Sequence, residues 1–106
     1  SKELIITGGE NVFPIEVETV LAQHPDVNEV CVYGVTDDYW GERVEAAVVA
    51  RAGVVLDVAA LAAFARESLA GYKVPKRTVI VTALPLTANN KPDRRVLRTL
   101  AEHATV

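Results

Sequence analysis

The chain alternates short apolar runs with polar punctuation, and the period of each run predicts its element. Glu3 to Thr7, ELIIT, is rich in β-formers and stops at Gly8-Gly9, after which Asn11-Val12-Phe13 returns as the second arm of a hairpin. Pro14 opens a helix in which Phe13, Val17, Val20, Leu21 and His24 share one face, with Glu16, Glu18 and Gln23 turned away. Pro25 ends it. Val27 to Val35, VNEVCVYGV, is apolar on both faces after Glu29, the pattern of a central strand. Asp37-Asp38-Tyr39-Trp40-Gly41 turns the chain, and Arg43 to Arg51 comes back as the antiparallel partner.

Beyond the break at Ala52-Gly53, Asp57 is a good N-cap, with Leu56 and Leu61 placed as a hydrophobic staple. That helix is expected to run to about Ala70, with Leu61, Phe64, Ala65 and Ser68 inward and Gly71 as its C′ residue. Thr78 to Thr82, TVIVT, reads as a third core strand. A polar loop, Thr87-Ala88-Asn89-Asn90, leads to Lys91 and then Pro92, which suits the first position of a last helix. Asp93 favours the positive end of that helix. Val96, Leu97 and Leu100 are expected inward, and Arg94, Arg95 and Arg98 outward.

The element order predicts an α+β fold: a small, mostly antiparallel sheet of about three core strands plus an N-terminal hairpin, packed with about three helices. A ferredoxin-like β-α-β-β-α-β unit with an extra C-terminal helix fits the same periodicity.

Composition narrows the function. The 106 residues make one domain, and half of them are hydrophobic, enough for a real core. A formal net charge of −3 argues against nucleic acid as partner. A single cysteine, Cys31, sits in an apolar run and reads as a buried thiol. One cysteine forms no internal disulfide and no metal cluster, which fits a reducing, cytoplasmic compartment. No run is long enough to span a bilayer, and no signal peptide is visible. The abrupt start at Ser1-Lys2, in strand-like sequence without an initiator methionine, suggests a piece of a longer protein.

Four places carry candidate chemistry. Lys91 stands at a helix start, on a loop able to approach another surface and reach an anion. Tyr72-Lys73-Val74-Pro75-Lys76-Arg77 is a basic loop with one aromatic, suited to an anion with a ring attached. Gly8-Gly9 permits close approach to the backbone. Trp40, the only tryptophan, either packs over a hairpin end or stacks on a base. His24 reads as a polar residue beside a helix C-terminus.

Taken together, the motifs resemble a known family. Lys2 to Glu18 (KELIITGGENVFPIEVE) looks like the opening of the C-terminal domain of adenylate-forming enzymes: acyl-CoA synthetases, peptide-synthetase adenylation domains and luciferases. The likeness continues through His24-Pro25-Asp26-Val27, Gly34-Val35, Asp37-Asp38, Trp40-Gly41-Glu42, Gly71 to Lys76, and Leu84-Pro85-Leu86-Thr87 through Lys91 to Arg94. It covers essentially the whole chain, in order.

The resemblance implies a mobile lid. In this family a carboxylate attacks the α-phosphate of Mg-ATP to give an acyl-adenylate, the C-terminal domain rotates, and a thiol then takes the acyl group. Lys91 corresponds to the lysine that enters the active site for the first step, and Lys2 to the hinge. Gly8, Gly9, Glu10, Trp40, Tyr72, Lys73 and Lys76 correspond to the surface that meets CoA in the second. The implied cofactors are ATP, Mg²⁺ and CoA, held mainly by or with a larger N-terminal domain that this chain lacks. The implied partners are that domain, a carboxylic acid, and CoA or a carrier-protein thiol. The fragment alone is expected to be inactive. Asn90 stands where family members commonly carry Gly before the lysine, and it tolerates the same left-handed backbone. Gly-Gly-Glu-Asn with Trp-Gly-Glu leans toward CoA ligases, with closest likeness to fatty-acyl or aryl members. A carrier-loading enzyme, or a free-standing ferredoxin-like binding module, is the alternative.

Overall fold

The computed structural model describes residues 3–104; the expected hinge, Lys2, lies outside them. The described residues form β1 (Ile5–Thr7), β2 (Glu10–Val12), α1 (Pro14–Leu21), β3 (Val27–Asp37), β4 (Gly41–Ala50), α2 (Val58–Arg66), a 3₁₀ turn at Gly71–Lys73, β5 (Arg77–Ile80) and α3 (Arg94–Ala104). One mostly antiparallel sheet runs β2-β1-β4-β3, with β5 also on β4. This is the expected α+β class.

β4 is the centre of the sheet. Along one side it pairs antiparallel with β3 from Ala50 to Gly41. Its other side is shared, with β1 meeting Gly41 through Thr7 and β5 running parallel beside Glu45–Val48. The ferredoxin-like alternative is not adopted, because the last strand lies parallel to β4 rather than as an antiparallel neighbour of β1.

β3 was expected in the centre and lies instead at an edge. Its apolar pattern has another cause: helices cover both of its faces. Val32, with Val44, Ala46 and Val48 of β4, packs under Val17 and Leu21 of α1 and Leu61 and Ala65 of α2. Cys31, Tyr33 and Val35, with Ala47 and Val49, pack under Leu97 and Ala101 of α3. The open edge is closed by side chains. The Glu18 carboxylate accepts from Val32 N at 2.7 Å, Arg94 Nε donates to Val32 O at 2.9 Å, and Thr36 N donates to Glu102 at 3.2 Å. These contacts occupy backbone groups that would otherwise template pairing with another chain.

The helices differ from expectation in instructive ways. Phe13 was placed on the buried face of α1, but it is 52% exposed. It is the extended N-cap ahead of Pro14, so the helical period does not reach it. α2 ends at Arg66, short of Ala70, and Leu69 is buried while Ser68 is exposed. Leu61, Ala65 and Leu69 keep helical spacing, Leu69 N still donates to Ala65 O at 2.9 Å, and no left-handed Gly71 cap is formed. α3 begins at Arg94 and not at Pro92. Asp93 is its cap, accepting from Arg95 N and Val96 N.

The buried face of α3 is therefore Arg94, Leu97, Arg98 and Ala101, while Val96 and Leu100 are 41% and 60% exposed. The two arginines were expected in solvent. They lay their stems on the sheet and carry their heads to carboxylates, Arg94 to Glu18 and Arg98 to Glu42 and Glu102. Two bases and three acids, together with buried Leu97 and Ala101, set this orientation.

Glu45 is fully buried on β4. Arg43 at 2.8 Å and Arg77 at 3.4 Å neutralise it, and the Tyr33 hydroxyl donates to it. Burial and the adjacent Glu45 charge push the Tyr33 phenol upward. The Cys31 thiol is pushed up to about 12, chiefly by burial. It is an inert core group, as the sequence suggested.

The orientation of α3 is testable in this chain by urea denaturation. Leu97→Ala should cost about 2–4 kcal/mol, whereas Val96→Ser and Leu100→Ser should each change stability by less than about 0.5 kcal/mol. The reverse order would mean that α3 is rotated.

Candidate functional site

Most of the described candidate residues fall in two places, one at each end of β1. The first is the loop between β5 and α3. Leu86 and Pro92 form an isolated antiparallel bridge. Thr87 N donates to Lys91 O at 2.7 Å, Asn90 N to Thr87 O at 2.9 Å, and Asp93 N to Pro85 O at 2.8 Å. Asn90 has φ 62°, the left-handed backbone expected of it. The Thr87 hydroxyl accepts from Asn89 N and Lys91 N. A self-bonded loop thus presents Lys91 at the surface, two residues ahead of the Asp93 cap rather than in the helix.

Below Lys91 lies an open, largely apolar cleft of about 430 Å³, walled by Phe13, Pro14 and Ile15 and by Glu18 and Arg94. Among the described lysines, Lys73 pairs with Glu16 and Lys76 lies over Trp40. The Lys91 ammonium alone has neither an ion pair nor a ring contact with a described residue.

The second place is formed by two hairpin tips. Gly8 and Gly9 have φ 56° and 82°, the pattern of a two-residue I′ turn. Gly8 N donates to Trp40 O at 2.8 Å. A Cβ on Gly8 would lie 2.9 Å from Cε3 of Trp40, so the indole occupies the room the missing side chain leaves. Lys76 places its ammonium 4.5 Å from the Trp40 ring centroid, and Tyr39 meets the indole edge-on at 4.8 Å. Such a cation–π contact contributes about 0.5–1 kcal/mol at an exposed site.

Asp37 holds the turn. One of its carboxylate oxygens accepts from Trp40 N at 2.8 Å and Tyr39 N at 2.9 Å. Those backbone hydrogen bonds, Trp40's first, hold its pKa below the usual carboxylate range. Trp40 therefore does what the hairpin-packing reading expected, and it also meets the basic loop.

Not all predicted residues gather there. Gly8, Gly9, Glu10, Trp40 and Lys76 share the hairpin tips. Tyr72 packs against the core, and Lys73 turns to Glu16 of α1 at 2.9 Å. Its hydrogen bond to Glu16 raises the Lys73 ammonium above its ordinary value. An anion drawing on Lys73 would have to displace that carboxylate.

Sequence reasoning missed Glu42. It accepts from Ile6 N at 2.9 Å and pairs with Arg98 at 2.6 Å, joining β1 and α3 to the start of β4. Its only signal was its place in the Trp40-Gly41-Glu42 motif. Glu18 and Arg94, which line the Lys91 cleft, were assigned to solvent because their partners lie 76 positions apart in sequence.

Comparison with known proteins bears on this geometry. The family model of the AMP-binding enzyme C-terminal domain matches residues 16–91. The chain belongs to that family. A 2-succinylbenzoate–CoA ligase of Geobacillus kaustophilus is 52% identical over 92% of the chain and 20% of its own length. A medium/long-chain fatty-acid–CoA ligase of Mycobacterium tuberculosis is 47% identical, over 92% of the chain and 18% of its own length. Apo MatB of Rhodopseudomonas palustris superposes over 100% of the chain and 21% of its own, with TM-score 0.94 and 36% identity. The chain thus spans about a fifth of the length of these relatives. No helix among the described residues is long and apolar enough to cross a membrane.

Two predictions concern the hairpin tips of this AMP-binding C-terminal domain. Gly8→Ala should destabilise the chain by about 1–2 kcal/mol through backbone strain and displacement of Trp40. Gly9→Ala, with nothing within 4 Å of its new Cβ, should cost less. Denaturation followed by Trp40 fluorescence separates them, and equal costs would remove the indole from the argument. The second concerns pH. Asp37 has a depressed folded-state pKa, so its stabilising charge is fully present above the ordinary value of 3.8 and is lost as pH falls through the lowered one. Wild type and Asp37→Asn should differ in thermal stability at neutral pH and converge in acid. A difference that persists at low pH would contradict the charge argument.

Proposed function

We propose that this chain is the mobile C-terminal domain of an ATP-dependent acyl- or aryl-CoA synthetase, with Lys91 delivering the charge needed for adenylation. The observation that carries the reading is Lys91 itself: an ammonium without an ion-pair partner among the described residues, on a loop closed by its own backbone, in a chain of this family. Carboxylate and triphosphate are both anionic. A cation placed between them offsets charge as it moves from the attacking oxygen to the leaving pyrophosphate. A lysine supplies this as a point charge on a long stem, and a self-bonded loop delivers it with little ordering cost.

The second half-reaction would use the other end of β1. After rotation, Gly8 and Gly9 would let a pantetheine arm run close to the backbone. Trp40 would offer a face to adenine, and Lys76, with Lys73 once released from Glu16, would meet phosphate. Lys76 already lies over the indole, so adenine would take its place on the ring while the ammonium moves to the phosphates. Mg²⁺ would travel with the triphosphate; the described residues hold no cluster of His, Cys, Asp and Glu able to ligate it. Lys2 would absorb the rotation in its backbone dihedrals. The acid substrate would sit in the larger domain that the relatives carry. CoA is favoured over a carrier thiol because the relatives named above are CoA ligases.

The test is ATP–pyrophosphate exchange in the full-length enzyme, with thioester formation from synthetic acyl-adenylate as the control. Lys91→Ala should lower exchange by about 10²–10³-fold, the cost of losing one charge-stabilising group, and leave the thioester step within about threefold. Normal exchange would refute the role of Lys91. Exchange without any thioester from free CoA would point to a carrier protein as acceptor.

A further inference from the structure

Arg94 follows Lys91 by three residues and is the first residue of α3. Its guanidinium reaches both oxygens of Glu18 on α1, at 2.9 and 2.8 Å, and donates through Nε to Val32 O of β3. The same Glu18 carboxylate accepts from Val32 N at 2.7 Å. One residue of β3 thus has its N–H taken by the acid and its carbonyl by the base, while acid and base pair with each other. The assembly is partly shielded, with side-chain exposures of 23% for Arg94 and 18% for Glu18. Both residues also wall the cleft beneath Lys91.

The Lys91 loop is rigid within itself but needs registration to the body of the domain. Its incoming end is held by Leu84, buried beneath α3. Its outgoing end passes through the Asp93 cap to Arg94, whose side chain is the first after Lys91 to grip the sheet and α1. A lysine aimed between two anions tolerates little error, since a misplacement of about 1 Å can cost about a hundredfold in rate.

We infer that Glu18 and Arg94 are positioning residues for adenylation, a clamp on Val32 that sets where the Lys91 ammonium stands when the domain closes. The inference rests on the role given to Lys91 above. It predicts a specific signature. Losing the clamp should impair the step that uses Lys91, spare the step that uses the hairpin tips, and have no further effect once Lys91 is gone.

The experiment measures both half-reactions in the full-length enzyme for Glu18→Gln, Arg94→Lys, Lys91→Ala and the double variant Glu18→Gln/Lys91→Ala. Gln keeps an acceptor for Val32 N without the charge, and Lys keeps the charge without the fork. Each clamp variant should lose about tenfold or more in pyrophosphate exchange, with thioester formation from preformed adenylate within about twofold. The double variant should match Lys91→Ala within about twofold, since the clamp acts through the lysine. If Glu18→Gln fails to fold, Arg94→Lys carries the same comparison. Normal exchange in the clamp variants, with exchange lost in Lys91→Ala, would overturn the clamp and leave the role of Lys91 standing. Equal loss of both half-reactions would overturn it too, by showing that the pair holds the fold and not the lysine. A double variant well below Lys91→Ala would overturn it as well, by showing that the pair does not act through the lysine. Full exchange in Lys91→Ala would overturn the assignment of Lys91, and the clamp with it.

Discussion

The pairing of β3 with β4 is the constraint on which the rest depends. Ten residue pairs, from Val27–Ala50 to Asp37–Gly41, join two strands that are apolar on both faces. Such a ribbon has to be covered twice. α1 and α2 cover one face and α3 the other, and the chain crosses from one side to the other through β5, Leu84 and the Lys91 loop. The tip of the same ribbon carries Trp40 to the Gly8-Gly9 turn. The spine therefore fixes both candidate sites and keeps them apart, the lysine near the start of β1 and the indole at its end.

That separation suits a domain that works in two orientations. A single rigid body with an anion-directed lysine at one place and a glycine–indole–lysine surface at another can serve two half-reactions by turning. Charge pairs tie the cover to the spine, with Glu18–Arg94 at Val32, Glu42–Arg98 beside Ile6, and Glu102 at Thr36. Pairs this exposed contribute modestly to stability. Their value lies in direction: each fixes the rotation of α3 about its axis, and with it the exit of the Lys91 loop.

Local chemistry was legible in the sequence and long-range pairing was not. The Gly8-Gly9 turn, the left-handed Asn90, the Asp57 cap and the β3–β4 hairpin follow from residues within four or five positions of one another. The edge position of β3 does not. An apolar pattern reports cover on two faces and is silent about the edges, which here are closed by Glu18, Arg94 and Glu102 from distant elements. The face of α3 misled for the same reason. Val96 and Leu100 outrank arginine in hydrophobicity, but Arg94 and Arg98 find buried-side carboxylates that no periodicity reveals. Lys91 and Trp40 stood out from their local motifs. The Glu18–Arg94 pair that walls the cleft beside Lys91 did not.

The central claim is that one lysine enters the active site for the first half-reaction and leaves it for the second. Amine labelling of Lys91 in the full-length enzyme, read by mass spectrometry, tests it most directly. With ATP and a non-reactive analogue of the acid, Lys91 should be protected. With a non-hydrolysable acyl-adenylate and CoA, it should label as readily as in this exposed loop. Equal labelling in the two states would contradict the account.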